Sequence, residues 1–260
     1  MRDPAVNIAV SAARKAGRTI LRLMNRRDSL SVAEKQRHDY VSEADRAAEA
    51  EIIYEIQRHF PDHGFLAEES GAQGNDQYQW IIDPLDGTAN FLYGIPHFSI
   101  SLALRAEGRM VVAVIYDPVK EELFTATRGS GAFLNDHRIR VGRCTGVNGA
   151  ILATGFPFRN PDGMSDYLAR FGRLFDAGCQ DMRRAGSAAL DLAYVAAGRV
   201  DGFWESGLKP WDIAAGSLLV REAGGTVMDY SGGTGYLDNG DIVAGNLKVA
   251  TNIVRCLGKL

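Results

Sequence analysis

The stretch WIIDPLDGTAN, residues 80–90, decides the fold, because an apolar run meets two aspartates three residues apart and a Gly-Thr step. The run before Asp83 predicts a buried strand, and Pro84 is expected to end it because proline cannot donate to a sheet ladder. Gly87 and Thr88 can then open a helix. The start of a helix directs free backbone N–H groups forward, so it favours an anion such as phosphate.

Asp83 and Asp86 are in conflict with a phosphate at the same position, because like charges repel each other. Mg²⁺ takes oxygen ligands and can bridge a carboxylate to a phosphoryl oxygen, which removes the conflict. A helix cap at Asp86 with a solvated Asp83 fits the DxxDG pattern equally well. Other carboxylates must therefore decide between a metal site and a cap.

Two further acidic stretches supply such carboxylates. GFLAEESG puts Glu68 and Glu69 at the end of the preceding predicted strand, although an exposed acidic loop would read the same way. KPWDIAAG puts Asp212 at the start of an almost wholly apolar helix. Asp212 could be an ordinary cap, but a carboxylate at the head of a buried helix needs a cation or donors around it.

The chain before this stretch predicts two helices. Asp3 and Pro4 form a good start for a first helix, and apolar residues recur with helical spacing through Met24. The SEAD sequence from Ser42 has the form of a capping box, and the helix that it begins is stopped by Pro61.

The rest of the chain shows two patterns of predicted secondary structure. Residues 34–40 are predicted to be a polar loop, strands are predicted from Gly64 onward, and the strands within residues 97–127 read as an antiparallel meander. Helices and strands alternate after about residue 147. We therefore predict an α/β (α+β) protein with an N-terminal α+β lobe, residues 1–146, that carries most metal ligands, and a C-terminal α/β lobe, residues 147–260, that contributes Asp212 and the substrate pocket.

The charge and the cysteine content disfavour several classes of function. The net charge of −3 over 260 residues gives no bulk signal for nucleic acid or an anionic membrane, so direct DNA binding is not expected. The N-terminus lacks the uninterrupted apolar core of a signal peptide, so a cytoplasmic protein is expected. The three cysteines form no CxxC pair and the five histidines have no ligand spacing, so zinc chemistry is disfavoured.

A phosphatase with a covalent aspartyl intermediate is a second interpretation of the motif. Haloacid-dehalogenase-type enzymes use Asp-x-Asp-Gly-Thr, but here two residues separate Asp83 from Asp86. The extra residue changes the side of a strand to which the second carboxylate points. The covalent mechanism is therefore disfavoured.

Three motifs in this order resemble those of the inositol monophosphatases. They are EES at residues 68–70, DPLDGT at 83–88 followed by Asn90 and Phe91, and WD at 211–212 followed by EAGG at 222–225. The resemblance runs from the first helix to the last and is closest to the bacterial SuhB-type branch. It implies the layered αβαβα sandwich of the sugar phosphatases, the type shared by inositol monophosphatase and fructose-1,6-bisphosphatase.

The resemblance also implies a metal-dependent mechanism without a covalent intermediate. Two or three Mg²⁺ ions would be held by the following groups: Glu68, Asp83, the carbonyl of Leu85, Asp86 and Asp212. The backbone of Gly87 and Thr88 would hold phosphate. Thr88 and Asp45, with Glu68 at the same centre, are the family's candidates for orienting and deprotonating the attacking water. Lys35 and Asp39 are weaker metal-site candidates, because the loop from Lys35 to Asp45 is one residue shorter than in the animal enzymes.

The family's substrate residues correspond to Gly186, Ser187, Ala188 and Glu205 here. A carboxylate such as Glu205 can accept hydrogen bonds from the hydroxyls of a polyol, although a surface glutamate at a strand end is the competing interpretation. Inositol 1-phosphate and related polyol or sugar phosphates are the expected substrates. Fructose 1,6-bisphosphate and NADP remain alternatives, and Li⁺ inhibition is implied by the resemblance.

A binding function is the second hypothesis. The SuhB-type branch is associated with antitermination of ribosomal RNA transcription, through RNA polymerase and NusA. Arg183 and Arg184 lie in the stretch that is near the dimer surface in the family, and a salt bridge is as good an interpretation as contact with RNA or polymerase. The resemblance implies a homodimer.

Overall fold

The computed structural model describes residues 4–26, 32–36, 39–157 and 161–258. The helices in these residues are α1 Pro4–Met24, α2 Glu43–Gln57, α3 Thr88–Tyr93, α4 Met164–Asp176, α5 Ala188–Ala196, α6 Pro210–Glu222, α7 Tyr236–Asn239 and α8 Leu247–Leu257. The strands are β1 Val32–Gln36, β2 Asp39–Ser42, β3 Gly64–Ala67, β4 Gly71–Gln73, β5 Tyr78–Asp86, β6 Ser99–Ala106, β7 Arg109–Asp117, β8 Glu122–Thr127, β9 Gly131–Leu134, β10 His137–Arg138, β11 Ile151–Thr154, β12 Asp181–Arg183, β13 Gly202–Glu205, β14 Thr226–Met228 and β15 Ile242–Gly245.

Two large sheets organise the molecule. The first has the order β10-β9-β8-β7-β6-β5-β3-β4, and all its pairs are antiparallel except β3 with β5. The second has the order β12-β11-β13-β15-β14 and mixes parallel with antiparallel pairs. The predicted meander is thus confirmed by the consecutive neighbours β5 to β9.

Helices cover both faces of each sheet. In β5, Trp80 and Ile82 pack in one core with α1 and α2, whereas Ile81 between them packs in the core that contains α5 and α6. This alternation is the period of two that a strand buried on both faces must show. The second sheet contributes Phe203 to the middle core and Trp204 to a third core with α4 and α8. The five layers are αβαβα, which confirms the predicted fold class.

The N-terminal capping box is confirmed in atomic detail. Ser42 precedes α2, its hydroxyl accepts a hydrogen bond from the backbone N–H of Ala44 at 3.1 Å, and its own N–H donates to Asp45 Oδ2 at 2.8 Å. These bonds supply partners for groups that a helix start leaves unpaired.

Two local predictions were wrong. Strand β5 does not end at Pro84 but continues to Asp86, with a break in its register against β6 between Asp83 and Asp86. Proline is tolerated there because the break removes the ladder bond that it could not make. The polar stretch 34–40 is also not a plain loop, since β1 and β2 pair as a hairpin.

The predicted boundary at residue 146 falls between the last strand of the first sheet and β11, and it stays a prediction. Helix α6, from the C-terminal half, packs against β6 and β7 of the first sheet as well as against α5. No helix within the described ranges is both long and apolar enough to cross a membrane.

Candidate active site

A cavity of about 340 Å³ brings the predicted motifs together. Its lining comes from the ends of β3, β5, β11 and β13 and from the starts of α3, α5 and α6. The predicted site residues on its wall are Glu68, Asp83, Leu85, Asp86, Gly87, Thr88, Arg184, Gly186, Ser187, Ala188, Glu205 and Asp212. Segments that are far apart in the chain thus meet around one volume large enough for a small molecule.

Asp83, Asp86 and Asp212 form an acidic cluster on the wall of the cavity. One carboxylate oxygen from each lies within 4.8 Å of the other two, and each residue is buried. Burial raises the pKa of Asp83 well above its ordinary value, and the charges of Glu68, Asp86 and Asp212 add to that rise. Burial, followed by the charge of Asp212, raises the pKa of Asp86 to about 7.

The register break in β5 explains how two aspartates three residues apart share this cluster. Asp83 pairs with Ser101 and Asp86 pairs with Ser99, so three steps on β5 match two steps on β6. In a regular strand, residues separated by an odd number of positions point to opposite faces. The extra residue is the geometry of a β-bulge, which brings both carboxylates to one side.

Asp212 is held at the third position of α6, where its Oδ2 accepts a hydrogen bond from the backbone N–H of Lys209 at 2.7 Å. The sequence had left open whether Asp212 is the N-cap residue of this helix. It is not, since the N-cap position is occupied by Lys209.

Asp86 is held in place by groups at the start of α5. Its Oδ2 accepts hydrogen bonds from the Ser187 hydroxyl and, at 2.8 Å, from the backbone N–H of Ala189.

Thr88 and Asp45 form a hydrogen-bonded pair beside the cluster. The Thr88 hydroxyl lies 2.8 Å from Asp45 Oδ1 and 3.0 Å from the carbonyl oxygen of Leu85, so it can donate to either. Asp45 is fully buried, and its Oδ2 accepts hydrogen bonds from the Ser42 N–H and hydroxyl. Burial raises the pKa of Asp45, while these hydrogen bonds oppose the rise. Asp45 does not line the cavity, so it reaches the cavity only through Thr88.

Gly87 is the residue before α3 and has φ of 95°, a conformation that side chains rarely adopt. A Cβ atom there would lie 3.1 Å from the carbonyl oxygen of Gly186 and 3.2 Å from that of His97. Asn90 links the same segments, because its amide donates to the carbonyls of His97 at 2.7 Å and Ala185 at 2.9 Å. This packing holds the DPLDGT turn against the start of α5.

Glu205 lines the cavity from the end of β13. It is buried rather than a surface residue, and burial followed by the charge of Asp191 raises its pKa well above the ordinary value. Gly155 leaves room for it, since a Cβ atom on Gly155 would lie only 2.2 Å from Glu205 Oε1.

Sequence reasoning missed Asp191, which also lines the cavity. Burial raises its pKa, and so does the charge of Asp86, whereas that of Arg184 lowers it. A signal was present, because Asp191 is the only charged residue in the helical sequence AALDLAYVA. A lone carboxylate in a buried helix requires an explanation outside the helix.

The two adjacent arginines differ. Arg183 forms an ion pair with Asp181, as the salt-bridge interpretation expected, and it does not line the cavity. Arg184 does line it, with its guanidinium 5.2 Å from the centre of the Phe156 ring. Lys35 and Asp39 belong to the β1–β2 hairpin, but their side chains lie outside the described part of the structure.

The five-layered fold and its buried acidic cluster define a class, the metal-dependent phosphatases built as an αβαβα sandwich. The sequence pattern of the inositol monophosphatase family matches residues 1–257, and the chain belongs to that family. It is 55% identical over 248 residues to the Nus factor SuhB of Escherichia coli strain K12, covering 95% of this chain and 92% of the relative.

Two solved structures agree with this assignment. The extragenic suppressor protein SuhB of Bartonella henselae superimposes with a TM-score of 0.95 at 48% identity, covering 99% of both chains. The inositol monophosphatase of Anabaena gives a TM-score of 0.87 at 40% identity, covering 98% of this chain and 95% of the other.

Proposed function

We propose that the protein is a Mg²⁺-dependent phosphomonoesterase that hydrolyses inositol 1-phosphate and related polyol or sugar phosphates without a covalent intermediate. The observation that carries the proposal is the buried cluster of Asp83, Asp86 and Asp212, with one oxygen from each within 4.8 Å of the others. Three buried carboxylates this close destabilise one another unless a cation compensates their charge. An all-oxygen donor set of this kind suits Mg²⁺ rather than a soft metal.

Two or three Mg²⁺ ions would be held by the three aspartates, Glu68 and the Leu85 carbonyl. Bound there, divalent cations supply charge neutralisation for the phosphate and acidification of a water molecule. The backbone N–H groups of Gly87 and Thr88 would bind phosphate oxygens, because helix α3 begins at this step.

Thr88 and Asp45 would handle the proton of the attacking water. When the Thr88 hydroxyl donates to Asp45 Oδ1, its oxygen can accept a hydrogen bond from water. The Asp45 carboxylate is then the negatively charged acceptor at the end of the hydrogen-bonded chain from water through Thr88. The N–H and hydroxyl of Ser42 hold this carboxylate in place. A carboxylate that lies behind a hydroxyl orients the water without itself contacting the substrate.

The polyol portion of the substrate would lie toward Glu205, with Gly186, Ser187 and Ala188 on the same wall. The small residues leave space, and the buried carboxylate accepts hydrogen bonds from hydroxyls. This chemistry suits inositol 1-phosphate, while fructose 1,6-bisphosphate and NADP are alternatives that share a phosphate ester beside hydroxyls.

Phosphate release from inositol 1-phosphate by the purified protein tests the proposal. Hydrolysis is expected with Mg²⁺, loss with EDTA, and inhibition when Li⁺ is added. Fructose 1,6-bisphosphate and NADP in parallel assays would rank the substrate classes. A folded protein that hydrolyses none of the three esters with Mg²⁺ would contradict the proposal.

A second function is favoured by the name of one relative, a Nus factor that is 55% identical over 95% of this chain. We infer that this protein also acts as a homodimeric cytoplasmic factor in antitermination of ribosomal RNA transcription, bound to RNA polymerase and NusA. This role need not involve the acidic cluster.

Co-precipitation from a native extract separates the two functions, with the wild type and Asp86→Asn compared. Recovery of RNA polymerase and NusA by both proteins would make the interaction independent of hydrolysis. Recovery of neither partner at low or moderate salt would contradict the binding role. Light scattering of the purified protein would give its mass and so test the dimer.

A further inference from the structure

Asp191 is a buried carboxylate for which the described structure records no hydrogen-bond donor. It lies in the middle of α5 between Leu190 and Leu192, both fully buried, and is itself only 3% exposed. Its backbone N–H donates to the carbonyl oxygen of Ser187, but none of the described residues donates to its carboxylate. Buried carboxylates ordinarily have several donors, so this arrangement calls for a ligand.

The Asp191 carboxylate is near the acidic cluster but is not part of it. Asp191 lines the cavity but is not a member of the cluster of Asp83, Asp86 and Asp212. Glu205 lines the same cavity, and no described group donates a hydrogen bond to its carboxylate either. Two buried acceptor groups without a hydrogen-bond donor among the described residues therefore face one cavity.

The charges around the pair exclude an anion as their ligand. After burial, the negative charge of Asp191 is the largest cause that raises the pKa of Glu205, so Asp191 lies close enough to affect it. Arg184, an exposed residue whose guanidinium lies over the Phe156 ring, is the one cationic side chain on the described cavity wall. A neutral group with several O–H donors satisfies both carboxylates without adding charge.

We propose that Asp191 is a specificity-determining residue that, beside Glu205, accepts hydrogen bonds from hydroxyl groups of the alcohol portion of a polyol phosphate. This inference rests on the proposed function, because the phosphate at the acidic cluster is what brings the alcohol portion to this wall. A buried acceptor rejects an alcohol without hydroxyls, since its binding would leave the acceptor unpaired. The site should therefore discriminate against simple esters.

The test compares myo-inositol 1-phosphate with phenyl phosphate, an ester whose alcohol portion has no free hydroxyl. Asp191→Asn keeps the size of the side chain but replaces one acceptor oxygen by a donor. In Asp191→Asn, we expect kcat/KM for myo-inositol 1-phosphate, divided by kcat/KM for phenyl phosphate, to fall by about tenfold or more. The kcat/KM for phenyl phosphate itself should stay almost unchanged. A fall that is equal for both esters would mean a structural role and would overturn the proposal, as would no change.

Asp229→Asn is the matched control. Asp229 is also a buried aspartate, 6% exposed, but it does not line the cavity. Its replacement is expected to leave the substrate ratio unchanged. A change in that ratio as large as that of Asp191→Asn would show that any buried aspartate influences the ratio, and the proposal would fail.

Binding gives a readout that does not need turnover. In the presence of Mg²⁺, myo-inositol 1-phosphate should raise the Tm of the wild type more than phenyl phosphate does, and Asp191→Asn should lose the difference. If the wild type binds with this preference but releases no phosphate, the phosphatase proposal fails while the role of Asp191 stands. If the preference is absent from the wild type or persists in the variant, the role of Asp191 is wrong.

Discussion

Asp229 and Asp86 are almost equally buried, at 6% and 8% exposure, but their surroundings are opposite. The Asp229 carboxylate accepts hydrogen bonds from the Ser231 N–H and hydroxyl, at 2.9 and 2.6 Å, and from the N–H groups of Gly233 and Gly235, at 2.8 and 3.1 Å. The Ser231 hydroxyl and these backbone donors lower the pKa of Asp229. Asp86 also has hydrogen-bond donors, but burial, followed by the charge of Asp212, raises its pKa to about 7.

The difference teaches that burial alone does not mark a functional carboxylate. A buried carboxylate surrounded by donors stabilises a loop, and its negative charge is already compensated. A buried carboxylate such as Asp86, which has an oxygen within 4.8 Å of an oxygen of Asp83 and of Asp212, carries charge that the protein itself leaves uncompensated, and such a cluster suits a cation.

The largest effect is expected from Asp86→Asn. Phosphate release should fall by at least about 10²-fold, the scale of loss when a positioned electrostatic group is removed from an active site. Without Mg²⁺ the variant should be at least as stable as the wild type, because the mutual repulsion within the cluster decreases. Steady-state kinetics and thermal unfolding in EDTA measure the two quantities. A variant with full activity would contradict the proposed site.

Thr88→Ala should have the next largest effect. Removal of the hydroxyl that connects Asp45 to the cavity should lower kcat by about 10²-fold, a typical contribution for acid–base catalysis by one group. Thr88→Ser is the matched control, because it keeps the hydroxyl and removes only a methyl group. Equal losses in both variants would mean that the threonine matters for packing and not for proton handling.

The sequence predicted best where the cause is local. The SEAD capping box needs only Ser42 and Asp45 at the right spacing, and the structure contains both of its hydrogen bonds. The alternation of Trp80, Ile81 and Ile82 between two cores also follows from the period of a strand. Asp83 and Asp86 stood out because they follow an apolar run, and the further carboxylates Glu68 and Asp212 then favoured a metal site over a helix cap.

The sequence failed where the cause lies in another segment. The bulge at Pro84 depends on pairing with β6, and no rule that uses β5 alone distinguishes a bulge from a strand end. Asp191 was missed because its cavity partners, Glu205 and Arg184, come from other segments of the chain. The resemblance to the family identified residues that match its motifs, but it gave no information about Asp191, which lies between two of those motifs.

The pH dependence of the stability of the metal-free protein also distinguishes Asp86 from Asp229. A folded-state pKa raised from 3.8 to about 7 means that the folded protein binds more protons than the unfolded chain between these values. The free energy of unfolding contributed by Asp86 must then decrease as pH rises through that range. In EDTA, wild-type Tm should fall from pH 5 to pH 8 more steeply than that of Asp86→Asn, and parallel profiles would contradict the raised pKa.

Asp229→Asn is expected to have the smallest effect, and an effect on stability alone. The Asp229 carboxylate accepts hydrogen bonds from four donors, and the NH₂ group of an asparagine would face some of these donors without being able to accept from them. The substitution should therefore lower the free energy of unfolding at pH 7 by about 1–3 kcal/mol. Because the folded-state pKa of Asp229 is lowered from 3.8, its contribution is present above that value and is lost as pH falls through the folded-state pKa. Urea unfolding of both proteins should therefore show a difference that is constant above about pH 5 and shrinks in more acidic solution, with phosphatase activity unchanged. A difference that grows on acidification would mean that Asp229 resembles Asp86 after all, and the distinction between the two kinds of buried carboxylate would be lost.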